Sequence, residues 1–238
     1  MTYKEIYEKV MPEKKRKEER FNIFGHWIGR PVSVWMTMPL VETKIKPTTV
    51  TIISMLSSLI GFFLVAFGKS MPLKLVGWFF FFFWSLLDGV DGNLARCTDQ
   101  CSSLGDLWDT TAGYAAMVQI YFSTGIAAFY DLNAVAFLKP HWLLMIGGAT
   151  AIASIFPRLV MHKKKSSNTA AESVKALSDK EHFKLKNIIA MNILSPSGFM
   201  QVIFLVCILT HTLNFFICFY AVVNFGMMAI SLYKLLRR

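Results

Sequence analysis

A cluster of aspartates inside an otherwise apolar stretch is the feature of this sequence that could do chemistry. Five of the fifteen acidic residues fall between residues 88 and 109, namely Asp88, Asp91, Asp99, Asp106 and Asp109. Charged side chains within a membrane-spanning segment are costly, so they mark a functional site by default. Asp88 and Asp91 are three residues apart and leave the same face of a helix, and Gly92 and Ala95 follow on that face. These small residues predict a surface on which a bulky ligand approaches the helix backbone.

Two further elements complete a predicted metal and phosphate site. Arg96 adds a fixed cation whose guanidinium binds phosphate in a bidentate manner. The following helix returns Gly105 and Asp109 toward the same place. Asp88, Asp91 and Asp109 cannot all be buried as bare charges, and a divalent cation would resolve their repulsion. Their hard oxygen atoms suit Mg²⁺, Mn²⁺ or Ca²⁺. The residues alone therefore predict metal-dependent phosphate chemistry at the cytosolic face of a membrane.

The spacing of these residues resembles a family signature. The pattern Asp88-x₂-Asp91-Gly92-x₂-Ala95-Arg96-x₈-Gly105-x₃-Asp109 is similar to that of the CDP-alcohol phosphotransferases, also called CDP-alcohol phosphatidyltransferases. Upstream, residues 47–51 (Pro-Thr-Thr-Val-Thr) resemble the family's Pro-Asn-x-x-Thr element, with Thr48 in place of Asn. The resemblance is strongest over residues 30–113. It implies transfer of a substituted phosphate group from a CDP-linked donor to an acceptor alcohol, with release of CMP, in phospholipid or envelope-polymer synthesis.

The resemblance also implies roles for individual residues. Asp88, Asp91 and Asp109 would hold Mg²⁺ or Mn²⁺, and Asp109 is also placed among the catalytic residues. The residues that would bind the CDP group are Gly92, Ala95, Arg96, Gly105 and Thr51. The implied partners are the CDP-linked donor, the acceptor alcohol and membrane lipids. A homodimer is expected from the resemblance, and no nucleic-acid partner is expected.

One position departs from the family pattern. The signature ends in a fourth aspartate, four residues after the third, and this chain has Gly113 there. That aspartate is the usual candidate for activating the acceptor hydroxyl. Three interpretations are open: another base serves, metal polarisation suffices, or transferase activity is lost and the protein acts as a membrane binding protein. Asp106 is the candidate base, because residues 106, 109 and 113 share a helix face. However, Ser103-x-x-Asp106 is also typical of a capping box at a helix start.

Arg158 is the candidate acceptor-binding residue. It lies deepest among the basic residues that end the fourth predicted span, and its guanidinium could recognise an anionic acceptor. The alternative is that it belongs, with residues 163–165, to the ordinary excess of cytosolic positive charge that also contacts anionic lipids.

Composition predicts that membrane helices carry these residues. The chain has 238 residues, of which 54% are hydrophobic and 17% charged, against about 25% charged in average soluble domains. A net charge of +10 would suggest nucleic acid in a soluble protein, but the apolar fraction points to a membrane. A helix needs about 20 apolar residues to cross a bilayer. Six candidate spans meet that need, at roughly 48–67, 74–96, 103–129, 141–161, 187–209 (kinked at Pro196) and 212–233.

The predicted fold is therefore an all-α membrane protein with six transmembrane helices, preceded by an interfacial amphipathic helix. Residues 21–42 carry Trp27 and Trp35 with prolines and flanking basic residues, a pattern typical of a helix in the membrane interface. The chain divides into a cytosolic N-terminal segment with this helix (1–46) and a six-helix membrane domain (47–238). Residues 1–20 are almost all polar and predict a solvated helix or tail in the cytosol.

Lysine and arginine counts predict the orientation. One set of alternate loops, together with the two termini, holds 22 of the 25 basic residues, whereas the opposite loops hold three. Both termini and the active site are therefore expected on the cytosolic side. A transporter is the alternative function. It is disfavoured because the intramembrane charges cluster at one end of the helices instead of lining a path through the middle of the membrane.

Overall fold

The computed structural model describes residues 1–12, 16, 21–131, 137–166, 192–193 and 198–237. Within these ranges the secondary structure is helical, without a β-strand. After a short N-terminal helix, α1 (Tyr3–Val10), a π-helical turn (Gly25–Gly29) runs directly into α2 (Arg30–Val41). Then follow α3 (Pro47–Phe67), α4 (Met71–Cys97), α5 (Ser103–Phe129), α6 (Pro140–Ser166), α7 (Phe199–Leu209) and α8 (Leu213–Leu236).

Among the described residues, four helices are long and apolar enough to cross a membrane by length and composition. They are α3, α4, the Pro140–Val160 part of α6 and the Leu213–Tyr233 part of α8. α5 has the same 27-residue length as α4, but Gln119 and several hydroxyl-bearing residues lower its hydropathy. α7 is a shorter apolar helix of 11 residues. Residues 187–191 and 194–197, with the predicted kink at Pro196, lie outside the described residues. The six-span topology therefore stays a prediction.

The long helices pack through large aromatic side chains and through glycines. Tyr121, Phe204 and Tyr220 are fully buried where α5, α7 and α8 meet. Because lipid tails are as apolar as these side chains, close van der Waals packing holds membrane helices together. Gly125 of α5 and Gly147 of α6 make the backbone approach close: a Cβ built on Gly147 would lie 2.7 Å from the Cα of Gly125. No side chain larger than hydrogen fits at position 147 unless one helix moves.

Gly147→Ala should therefore destabilise the protein, although alanine is the better helix former. Overpacking a tight contact costs about 1–3 kcal/mol, which opposes the gain of ~1 kcal/mol that alanine has over glycine in a helix. We expect a lower midpoint of thermal unfolding in detergent micelles, followed by tryptophan fluorescence. Gly148→Ala is the matched control, since the nearest atom to a Cβ there is 4.0 Å away. Equal midpoints for the two variants would contradict the proposed close approach.

Residues 3–10 form a helix, one of the two predicted alternatives, but one face of this helix is buried and not solvated, which corrects the prediction made from the charge of the segment. Helix α1 docks on α2 and on the end of α4. Its apolar face is buried in a cluster that consists of Ile6, Val10, Met11, Val34 and Cys97. Residues 6 and 10 are one helical turn apart, so two apolar side chains suffice to form the contacting stripe among charged neighbours. Of the charged run over residues 14–20, all but Arg16 lies outside the described residues.

The π-helical turn and α2 form the surface helix that residues 21–42 predict. Trp27 and Trp35 are 72% and 69% exposed. Ser33 and Thr37 lie on the opposite face and are buried against α4. The helix therefore presents large aromatic side chains outward and small polar side chains inward. Its location in the membrane interface stays a prediction.

Candidate active site

Asp91 is held at the site by a hydroxyl group from the neighbouring helix. Its side chain is buried within α4, and Thr51 Oγ1 of α3 donates a hydrogen bond of 2.5 Å to Asp91 Oδ2. Thr51 lies one turn after Pro47, which begins α3. Proline is favourable there because the first helical N–H has no intrahelical partner. The structure thus brings a predicted CDP-binding residue and a predicted metal ligand together as a hydrogen-bonded pair.

Thr51→Val should destabilise the protein, because it leaves a buried carboxylate without its hydrogen-bond donor. The cost of an unsatisfied buried polar group is about 1–3 kcal/mol, and valine matches threonine in shape. We expect a lower thermal midpoint for Thr51→Val and a nearly unchanged one for Thr51→Ser, which keeps the Oγ donor. Similar midpoints for the serine and valine variants would show that the hydroxyl does not anchor Asp91.

The start of α5 corrects the predicted capping box. Ser102, not Ser103, is the N-cap: its Oγ accepts a hydrogen bond of 3.0 Å from the backbone N–H of Gly105. Ser102 has the extended backbone that a cap residue requires, with φ −143° and ψ 155°. Asp106 lies in the first turn, where a carboxylate interacts favourably with the helix dipole, and its side chain is exposed. Capping therefore does not occupy the Asp106 carboxylate.

Asp88 of α4 and Asp109 of α5 are in direct contact. Their carboxyl groups lie within hydrogen-bonding reach of each other, and Asp91 is an electrostatic neighbour of both. Within the described ranges, no group of three or more His, Cys, Asp or Glu side chains has the geometry of a metal site. The three predicted ligands therefore lie in one region, but only two of them meet, and Asp91 bonds to Thr51 instead.

The chemistry of the Asp88–Asp109 pair fits a divalent cation. Two carboxylates in contact repel each other when both are charged, and Mg²⁺ binds proteins through one or two carboxylates together with substrate phosphates. Mn²⁺ takes the same hard oxygen ligands. Asp88 and Asp109 would therefore hold the metal ion. Asp91 could join them while it keeps its bond from Thr51, because that bond engages only Oδ2 and a carboxylate has a second oxygen atom.

Two cavities open beside Asp109 and share Gly92, Arg96 and Asp109. The large cavity, of 440 Å³, lies between α3, α4 and α5. It is lined by all five residues predicted to bind CDP, which are Thr51, Gly92, Ala95, Arg96 and Gly105, and also by Asp91 and Asp106. The small cavity, of 260 Å³, is walled by Asp88 and by residues of the 22–33 segment. The site therefore offers two adjacent spaces that meet at Asp109.

Arg96 is positioned between the two cavities by its own helix. Its Nη2 donates a hydrogen bond of 3.2 Å to Asn93 Oδ1. A Cβ built on Gly92 would lie 3.2 Å from the same Nη2. The glycine therefore leaves room for the guanidinium to lie against the backbone of α4, where it can reach a ligand in either cavity.

Gly113, at the position of the fourth motif aspartate, is buried, and Arg158 of α6 lies beside it. A Cβ built on Gly113 would be 3.5 Å from Arg158 Nη1, an ordinary contact distance. Asp88 and Asp109 are electrostatic neighbours of the same guanidinium. Arg158 is thus close to the site, but it is not among the described residues that line either cavity. The Arg158 guanidinium therefore lies next to the position at which the signature has a carboxylate.

Comparison with known proteins agrees with the motif. The family model named CDP-alcohol phosphatidyltransferase matches residues 44–232. The chain belongs to this family. A curated relative, cholinephosphotransferase 1 of Danio rerio, is 26% identical over 132 residues. That match covers 52% of this chain and 31% of the relative, so it describes less than half of the relative's length.

Membership of the CDP-alcohol phosphatidyltransferase family confirms the resemblance seen in the aspartate motif. Together with the four apolar helices, it points to an integral membrane protein. The matched region begins just before α3 and ends within α8. One wall of the small cavity therefore lies in the matched region, and the other wall is formed by residues that come before this region in the chain.

The second wall is the part of the site that sequence reasoning missed. The tryptophans of residues 21–42 indicate a surface helix, and nothing in their spacing shows which residues face α4. The available signal was the presence of Asn22, Arg30 and Ser33 in a segment otherwise rich in apolar residues. Likewise, the contact between Gly113 and Arg158 joins two helices and has no local sequence signature.

Proposed function

We propose that this family member transfers a substituted phosphate group from a CDP-linked donor to an acceptor alcohol and releases CMP. The observation that carries the proposal is the large cavity, because it collects all five motif residues expected to bind CDP beside the Asp88–Asp109 pair. A Mg²⁺ or Mn²⁺ ion bound there would polarise the donor phosphate and neutralise charge on the leaving CMP.

The chain's own residues would bind and orient the substrates. Arg96, held by Asn93, is suited to a bidentate contact with a phosphate oxygen pair. Gly92 and Ala95 leave room for the nucleotide against α4. Arg158 would act on the acceptor half of the reaction through Asp88 and Asp109, since it faces these carboxylates.

Asp106 is our candidate base for the acceptor hydroxyl, because its exposed carboxylate lines the large cavity near Asp109. Asp106→Asn should then lower the rate of CMP release by about 10²–10⁴-fold, the usual contribution of a positioned base. The KM for the donor should change little, and Asp106→Glu should keep part of the rate. Steady-state CMP release measures all three. A full rate in the asparagine variant would exclude Asp106 as the base.

A second candidate function is a membrane binding protein that holds CDP-linked compounds without transferring the phosphate group. The observation that favours it is Gly113, which removes the carboxylate expected to activate the acceptor. In this case the large cavity would still bind the cytidine nucleotide, but no CMP would form.

The two functions are separated by incubating the purified chain with Mg²⁺ or Mn²⁺ and donors in which CDP carries diacylglycerol, an amino alcohol or a polyol. We expect CMP release with at least one donor, its loss in the presence of EDTA, and its loss in Asp91→Asn. Binding of CDP compounds without CMP release from any donor would support the binding protein. If no donor yields CMP and Asp91→Asn changes nothing, the transferase proposal fails.

The orientation and the assembly belong to the same proposal. The excess of basic residues in one set of loops and at the termini supports a cytosolic location of both termini and of the site. A homodimer rests on the family resemblance alone.

A further inference from the structure

The turn between α4 and α5 forms one wall of the large cavity. This turn consists of residues 98–102, and three of them, Gln100, Cys101 and Ser102, line the cavity. Its far end is fixed to α5, because Ser102 is the N-cap of that helix. Since the turn is short, the position of its first residues decides where the three cavity-lining side chains lie.

The backbone of this turn is held in a conformation that few residues favour. Helix α4 ends in a Schellman-type motif, in which the Gln100 N–H donates to the Ala95 carbonyl at 2.9 Å. Asp99, directly before Gln100, has a left-handed backbone with φ 55°. This backbone region favours glycine, and other residues enter it mainly at a cost in free energy. A contact from outside the turn therefore helps to hold it in this shape.

Helix α1 provides such a contact. The Lys9 ammonium donates a hydrogen bond of 3.0 Å to the carbonyl oxygen of Cys97, the last residue of α4. The last carbonyl groups of a helix have no intrahelical partner, and a cation beside them interacts favourably with the helix dipole. Lys9 also forms an ion pair with the exposed Asp99 carboxylate, but a surface pair of this kind contributes little. The bond to the Cys97 carbonyl is therefore the one that ties α1 to the start of the turn.

The contact is made by a well-anchored helix. Ile6 and Val10 are 0% and 1% exposed and pack in one cluster with the Cys97 side chain. Thr2 and Glu5 form a capping box at the start of α1. Lys9 precedes Val10, so the docking of the apolar face brings the ammonium to the end of α4. All of these α1 residues lie outside the region matched by the family model, which begins at residue 44.

We propose that α1 is a positioning element of the large cavity and that Lys9 is its positioning residue. Docked α1 holds the turn of residues 98–102 where its side chains complete the nucleotide-binding wall. Lys9 lines neither cavity, so it acts through the Cys97 carbonyl and touches no substrate. The inference rests on the proposed function for the identity of the ligand, a cytidine nucleotide. Docking of α1 and binding of this ligand are then coupled, and the coupling is reciprocal.

The first experiment measures equilibrium binding of radiolabelled CMP to the purified full chain in detergent micelles. Lys9→Met keeps the apolar stem and removes the donor. It should weaken CMP binding about fivefold or more, because the apparent affinity falls with the fraction of molecules in the binding-competent conformation. Lys9→Arg, which keeps a charged donor, should restore part of the affinity. Lys4→Met is the matched control: it removes one positive charge from an exposed side chain of the same helix and should stay within about twofold.

A second variant undocks α1, and a thiol reports on it. Cys97 is 7% exposed beneath α1, whereas Cys101 is exposed in the turn. Ile6→Asp places a charge in the buried cluster and should speed alkylation of Cys97 by N-ethylmaleimide about tenfold or more, as measured by mass spectrometry. The affinity for CMP should fall at least as far as in Lys9→Met. A reactive Cys97 together with wild-type CMP affinity would overturn the proposal, as would wild-type affinity in Lys9→Met.

Reciprocal coupling gives a test without any substitution. Saturating CMP should slow the alkylation of Cys97 in the wild-type chain, by the same factor as Ile6→Asp weakens CMP binding. Cys97 lines neither cavity, so CMP does not shield it directly. The protection should be smaller in Lys9→Met, where the link between α1 and the turn is broken. Bound CMP that leaves the alkylation rate of Cys97 unchanged would contradict the coupling.

The outcome separates this inference from the proposed transferase. Lys9-dependent CMP binding without CMP release from any donor would leave the role of α1 standing and remove the transferase. In an active enzyme, Lys9→Met should raise the KM for the CDP-linked donor and leave kcat nearly unchanged. CMP release with the same donor KM in wild type and Lys9→Met would leave the transferase standing and remove the role of α1. No binding of CMP to the wild type would overturn the inference, because the wall would then have no nucleotide to contact.

Discussion

Asp109→Asn should lower the rate of CMP release by about a hundredfold or more. The variant should still fold, and the midpoint of its thermal unfolding should be nearly unchanged. Asparagine has the same shape but no charge. Asp109 contacts Asp88 and lines both cavities, so under the proposed function its charge would act on the metal ion and on both substrates. Loss of one preorganised electrostatic contact at a reacting centre costs about 10²–10³ in rate. Single-turnover CMP release, measured over a range of Mg²⁺ or Mn²⁺ concentrations, checks this prediction.

A second aspartate from the same window provides the control. Asp99 lies after α4, is 83% exposed and pairs with Lys9 at 3.1 Å. A surface ion pair of this kind contributes little to stability, so Asp99→Asn should keep the wild-type rate. If high metal concentration restores Asp109→Asn fully, its role is metal affinity alone. If Asp99→Asn loses as much activity as Asp109→Asn, the contact of Asp109 with Asp88 is not the cause.

The α4 and α5 side of the large cavity could be predicted from the sequence because its residues are local. Gly92, Ala95 and Arg96 follow Asp91 on one helix, and Gly105 and Asp109 lie on the next helix after a short turn. Spacing along a helix determines which of these residues share a face, independently of the tertiary structure. The bounds of α3 and α5 were also predicted closely, as 48–67 and 103–129, because the length of an apolar run sets the length of a spanning helix.

The separation of Asp88 from Asp91 could not be predicted from their spacing alone. Residues three apart share a helix face only approximately, because three steps leave them about 60° apart around the axis. In this bundle that angle decides the partner: Asp91 faces Thr51 of α3, and Asp88 faces Asp109 of α5. Which helix packs against each side of α4 is determined by tertiary packing.

The docking of α1 and the wall of the small cavity share a different cause. In both, a few residues that face inward are hidden in a segment whose composition is set by its outward face. Charged residues dominate around Ile6 and Val10, and tryptophans dominate around Ser33 and Thr37. The average composition of such a segment therefore reflects the residues that face solvent or lipid. It does not predict which residues pack against the rest of the protein.

Gly113→Asp, which restores the fourth carboxylate of the family motif, should not speed the reaction. The new side chain would extend toward Arg158 Nη1, which lies 3.5 Å from the position of a Cβ. A carboxylate in that place pairs with the guanidinium, and the pair withdraws Arg158 from Asp88 and Asp109. We expect CMP release to fall about tenfold, which corresponds to a loss of about 1.4 kcal/mol of electrostatic stabilisation at the carboxylates.

The matched variants separate this pairing from simple crowding. Gly113→Ala should stay close to the wild-type rate, since a Cβ makes only an ordinary contact there. Arg158→Gln alone should be slow, because the two carboxylates lose their neighbouring cation. In the double variant Gly113→Asp with Arg158→Gln, the new carboxylate has no guanidinium to pair with, so the effects of the two changes should not be additive in free energy. The relative rate of CMP release of the double variant should therefore be higher than the product of the relative rates of the two single variants. A rate above wild type in Gly113→Asp alone would contradict this account, because it would mean that the new carboxylate acts as a base beside Arg158.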